Sequence, residues 1–234
     1  MSAFTSFHEP GFWLVMALLT GIAILAARPF LPQGWRMPLM AGYWTLFPYL
    51  AYISGGVSLR LMGVIYQDWL TVFRLGVGLV LALIAILGIA QVAVMRDSRT
   101  RPSHATREAA TPERWATALA AVGLSGAEEL YWCFLRGVIY ELMLSLNRPA
   151  ELPFYWSIWA AALLASPVAV TVQSTGIQRV VKVIILIMTS ILFFYSRSFW
   201  LCWLLHAFAW VVLVTVPRQT PAYASQEKTR AKQL

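Results

Sequence analysis

The chain has 234 residues, of which 59% are hydrophobic and only 12% charged, and its mean hydropathy is +0.67. Soluble domains carry about 25% charged residues, so this composition excludes an ordinary soluble globule and predicts an integral membrane protein. The net charge of +8 does not point to nucleic acid, because the basic residues cluster in residues 96–114 and in the tail after Pro217, as the positive-inside bias distributes them.

A helix crosses the hydrocarbon core with about 20 apolar residues. Residues 11–27 give a first span, ended by Arg28 and Pro29. They lack a positive n-region and therefore read as a span rather than a signal peptide. Residues 37–59 carry no charge and give a second span, in which Pro48, Gly55 and Gly56 predict a kink or an early end. Residues 75–95 give a third, stopped by Arg96 and Asp97. Residues 97–114 read as a polar, basic cytoplasmic linker. The segment 115–146 is apolar apart from Glu128, Glu129, Arg136 and Glu141, and is read either as one long tilted helix or as two pieces broken near Gly123 or Gly126. Further spans follow at 152–178, 180–196 and 198–217, with Lys182 placed near a helix end, where it can snorkel.

The fold expected is an all-α polytopic bundle of about seven spans, eight if 115–146 splits. With the N-terminus outside and the C-terminus cytoplasmic, the loops richest in Lys and Arg all fall on the cytoplasmic side. The chain thus divides into a three-span region (1–96), the linker (97–114), a helical core (115–217) and a flexible cytoplasmic tail (218–234). Cys133 and Cys202 lie in apolar runs and read as packing groups. No zinc-type spacing and no disulfide framework is present.

Charge is costly in this setting, about 2.5–3.5 kcal/mol per group at the bilayer centre. Glu128 and Glu129 in SGAEELYWCFLRG would repel each other there unless a cation is near. Arg136 lies almost two turns after Glu129 on the same helix face and can reach back to supply it. His206 in FWLCWLLHAFAW is the only histidine in any span and falls at a similar depth. One reading is structural: an ion pair joining helices, or charges at the membrane interface. The other is that Glu128, Glu129, Arg136 and His206 converge on one buried polar site, which by default marks function in a membrane.

These residues resemble the motifs of the CPBP (Abi) intramembrane proteases, which include the type II CAAX prenyl endopeptidases. GAEELYWCFLRG is similar to the family's Glu-Glu-x-x-x-Arg motif, and RSFWLCWLLHAFAW to its last motif, ending in His-x-x-x-Asn. The resemblance covers residues 115–216. It implies that Glu128 and Glu129 match the glutamate pair, of which one glutamate activates water together with a middle-helix histidine, that Arg136 plays the arginine, and that His206 matches the last histidine, which with the asparagine steadies the oxyanion. Whether a metal takes part is not decided by the resemblance. The sequence also departs from the pattern. Arg136 comes three residues late, with Cys133 in the usual position, and Trp210 replaces the asparagine. The middle histidine is absent from WAAALLASPVAVTVQS, where only Ser166 and Gln173 offer polar groups.

The functional expectation is therefore a degenerate homologue in the plasma membrane, acting as a scaffold, assembly factor or subunit of a larger membrane complex. An active endopeptidase cleaving a lipidated or membrane-bound peptide is the enzymatic alternative. A second alternative uses His206 as axial ligand of a haem or pigment. Membrane lipids are expected partners in every case.

Overall fold

A computed structural model describes residues 7–65, 77–82, 84–85, 113–146, 151–172 and 176–215. Every regular element among the described residues is helical. The helices are α1 (Pro10–Ala27), α2 (Gln33–Ile53), α3 (Glu113–Ser145), α4 (Pro153–Thr171), α5 (Gly176–Ser196) and α6 (Phe199–Thr215), with a 3-10 turn at Arg28–Phe30. Residues 77–82 and 84–85, within the expected third span, are helical too. The rest of that span, most of the 97–114 linker and the 218–234 tail lie outside the described residues.

Among the described residues, three helices are long and apolar enough to cross a membrane: Pro10–Phe30, Pro153–Thr171 and Gln178–Ser196. Phe199–Val212 is apolar but shorter. Leu19, Ile22, Leu163, Val180 and Leu204 point outward and exposed, an apolar surface compatible with lipid contact.

The second predicted span is displaced. Helix α2 starts earlier than expected and ends at Ile53. The reason is a Schellman closure: Gly56 N–H bonds the Ala51 carbonyl at 2.8 Å, and Gly55 takes a left-handed φ of 78°, which glycine adopts without steric cost. Residues 54–65 then run as turns and dock on the α5–α6 connection, where Phe199 N–H bonds Gly63 O and Trp200 Nε1 bonds Val64 O, both at 3.0 Å.

The segment 115–146 does not split. Helix α3 is continuous over 33 residues, about 50 Å long, and passes Gly123 and Gly126 without a break. It is the central helix, packing against α1, α2, α4 and α6, while α5 packs on α4 and α6. In lipid, apolar burial between helices gives little drive, and close contact of small residues matters more. Accordingly α1 buries Trp13, Ala17 and Gly21 at four-residue spacing, and α4 buries Ala161, Ala165 and Ala169 at the same spacing. A hydrogen-bonded link joins three helices: Tyr131 donates to the Tyr43 hydroxyl at 2.5 Å, which donates to Ala17 O at 2.8 Å.

Gly126 of α3 lies against the Trp203 indole of α6. A Cβ there would lie 2.9 Å from Trp203 Nε1, and that indole is fixed by its bond to Val122 O at 3.1 Å. Gly126→Val is expected to cost about 1–3 kcal/mol through overpacking, seen as a lower unfolding midpoint of the detergent-solubilised protein. An unchanged midpoint would contradict this packing.

Candidate functional site: a buried charge network

Glu129 is the middle residue of α3, as far from either end as that helix allows. Position 133 is one turn on and position 136 nearly two, so Glu129, Cys133 and Arg136 share a face. Arg136 reaches back along it: Nη1 donates to Glu129 Oε1 at 3.0 Å and to Cys133 Sγ at 3.5 Å. Its Nη2 crosses to α5 and donates to Ser190 Oγ at 3.4 Å. The guanidinium lies 4.8 Å from the Phe193 ring centre, a cation–π placement. Only its Nε lacks a hydrogen-bond partner.

Glu128 faces a second cation. Lys182, on α5, donates from Nζ to Glu128 Oε2 at 2.5 Å and to His206 Nε2 at 2.7 Å. With Nε2 accepting, a neutral imidazole carries its proton on Nδ1. Nδ1 then donates to Glu129 Oε2, 3.3 Å away. Trp132 stacks on the His206 ring at 4.8 Å between centres and 11° between planes. Trp210, one turn beyond His206, places its ring 4.2 Å from the Lys182 ammonium.

The result is one chain of contacts, Arg136–Glu129–His206–Lys182–Glu128, drawn from α3, α5 and α6. Two carboxylates face two cations, so the formal charges cancel without His206. All five side chains are closed off from solvent, with exposures of 0–3%. Buried charges persist only when paired and hydrogen-bonded, and here each is. A carboxylate–imidazole pair can in principle move a proton. In this arrangement every such acceptor is already held by a fixed donor.

Glu128, Glu129, Arg136 and His206 thus come together. The expectation for Lys182 fails: it does not snorkel from a helix end but is 2% exposed. It belongs to the inward stripe Gln178, Lys182, Ile185, Thr189, Phe193, all buried, whose steps of three and four residues define one helix face. That periodicity was readable in the sequence. Cys133 also departs from a plain packing role, because it accepts from Arg136. Cys202 donates to Thr189 O at 3.4 Å. Ser166 turns back to its own helix, donating to Leu163 O, and does not reach the network, while Gln173 lies outside the described residues. Ser190 and Trp132 gave no sequence signal, since their roles depend on partners from other helices.

Both ring nitrogens of His206 face side chains and one ring face is covered by Trp132. These residues do not fit axial ligation of a haem or pigment iron, which requires a free imidazole nitrogen. Comparison with family models, characterised proteins and solved structures finds no match to this chain. The all-helical fold with a closed charge network at its centre is therefore what defines its class.

Proposed function

We propose that this chain is a seven-span integral protein of the plasma membrane, N-terminus outside and C-terminus cytoplasmic. In this reading it is a degenerate relative of the CPBP proteases that serves as a scaffold, assembly factor or subunit of a membrane complex. One observation carries the reading: the Lys182 ammonium sits between Glu128 and His206, bonded to both. A tethered cation thus takes up the space between the glutamate that would activate water and the histidine that would steady the oxyanion. The aromatic Trp210 at the position of the family's asparagine supports the same reading, because it contacts Lys182 and offers no amide to an oxyanion.

The enzymatic alternative retains one supporting observation, the Glu129–His206 contact at 3.3 Å. The test is a cleavage assay with prenylated and membrane-anchored peptides, run alongside native mass measurement in mild detergent. Wild-type protein is expected to cleave no faster than Glu129→Gln, and to run as a complex above its own 26.2 kDa. An enzyme using Glu129 as general base would instead lose about 10²–10⁴-fold in rate on that substitution, and such a loss would overturn the scaffold reading.

A further inference from the structure

Away from the charge network, a small cleft, open to the surface, lies where α1, the 3-10 turn, the start of α2 and the end of α4 meet. It is lined by Ile24, Arg28, Leu31, Arg36, Met37, Met40 and Val172. Its walls are apolar, apart from two arginines. Arg28 is held in place by both Nη groups, which donate to the carbonyls of Thr171 and Val172 at the end of α4. Arg36 donates from Nε to Leu31 O at 3.1 Å, and its two Nη groups have no partner among the described residues. Neither arginine meets a carboxylate among those residues. The first turn of α2 carries no acidic side chain. The cleft is thus a positively charged site with oily walls and no carboxylate among the described residues to balance it.

Its surroundings indicate the phase from which a ligand would come. Phe30 is 89% exposed and Trp35 68%, and aromatic side chains in this situation settle at the headgroup level of a bilayer. The adjoining Pro10–Phe30 segment is one of the three apolar enough to span. A soluble anion would have no use for Ile24, Met37 and Met40. An amphiphile uses both parts.

We propose that this cleft binds an anionic phospholipid, its phosphate on Arg36 and Arg28 and an acyl chain along Ile24, Met37 and Met40. Guanidinium forks suit phosphate oxygens through paired charge-assisted hydrogen bonds. The proposal rests on the membrane reading above, which a carbonate wash tests separately: a chain extracted from membranes by alkaline carbonate would fail that reading, whatever its lipid preference.

The test of the cleft is native mass spectrometry of the delipidated full-length protein, titrated with phosphatidylglycerol and with phosphatidylcholine. A single phosphatidylglycerol adduct is expected at about tenfold lower lipid concentration than for phosphatidylcholine. Arg36→Gln should reduce that preference about fivefold, the effect of one basic residue beside anionic headgroups. Met37→Trp, which fills the cleft without altering charge, should abolish the adduct. Arg60→Gln, a charge-matched change at an exposed site elsewhere, should leave it intact. Equal retention of the two lipids would overturn the proposal, as would loss of preference in Arg60→Gln to the same degree as in Arg36→Gln. Displacement of the adduct by millimolar inorganic phosphate would assign the arginines to a soluble anion and overturn the lipid assignment.

Discussion

Lys182→Met is expected to lower the unfolding midpoint of the detergent-solubilised protein by roughly 6–20 °C. The side chain it removes is the only cation bonded to Glu128 among the described residues and the donor to His206 Nε2. Methionine fills similar volume and suits Trp132 and Trp210, so packing is largely kept and the loss is electrostatic. Breaking a buried pair by deleting one partner costs about 3–5 kcal/mol, and in a chain of this size each kcal/mol moves the midpoint by roughly 2–4 °C. The double change Lys182→Met with Glu128→Gln removes both charges together. It should recover much of the loss, because replacing both members of a buried pair is far cheaper than orphaning one. The readout is the fraction of monodisperse protein after heating, followed by size-exclusion chromatography. A single mutant melting within about 2 °C of wild type would mean that Lys182 reaches solvent and that Glu128 has another partner.

The contrast between Lys182 and Arg136 shows what a sequence of this kind displays. Arg136 is conspicuous because it follows Glu129 by seven residues on one helix, and local geometry alone places the two together. His206 is conspicuous because no other span holds a histidine. Lys182 looks ordinary, since a lysine a few residues inside a helix normally reaches the interface. Only the inward stripe through Gln178, Ile185 and Thr189 reverses that expectation, and its meaning depends on knowing that α5 faces α3 and α6. The end of α2 follows the same logic in reverse. Gly55 and Gly56 signal an early stop, but the hydropathy of residues 54–59 suggests continuation, and the backbone closure at Ala51 settles it in favour of the glycines. The length of α3 was open because glycine weakens a helix by only about 1 kcal/mol, which neighbouring helices readily offset. Gly126 is there for the approach of Trp203, so it marks a contact and not a break.

The network also explains how two adjacent carboxylates are tolerated at the centre of an apolar bundle. Adjacent residues on a helix point about 100° apart. Glu128 is thereby directed to Lys182 and Glu129 to Arg136, while His206 lies between them. Each acid meets its own cation from a different direction, and the imidazole joins the two pairs. Glu129 and Arg136 pair within α3, but Glu128 meets Lys182 only when α5 docks, and His206 joins the two pairs only when α6 does, so the cluster ties α3, α5 and α6 into one arrangement. That is a specificity role of the kind best attested for buried polar groups, and it needs no turnover.

Arg136→Met should be as costly as the loss of Lys182, at about 3–5 kcal/mol, but with a different signature. Arg136 holds Glu129, Cys133 and Ser190 at once, and a single ammonium cannot replace that fork. Arg136→Lys keeps the charge and can still approach Glu129, yet it gives up the simultaneous bond to Ser190. It should therefore fall between wild type and Arg136→Met. A double-mutant cycle separates paired charges from a diffuse field. Arg136→Met combined with Glu129→Gln should show a coupling of about 1–3 kcal/mol, as expected for groups in direct contact. Combined with Glu128→Gln, whose carboxylate bonds Lys182 instead and reaches Arg136 only through Glu129 and His206, the coupling should be clearly smaller, about 0.5 kcal/mol, the low end for groups that share a network. Equal couplings to the two glutamates would mean that either carboxylate can take either cation. The network would then be an exchangeable charge reservoir, which is the arrangement a proton-transferring site requires, and the case for a purely structural centre would give way to the enzymatic one.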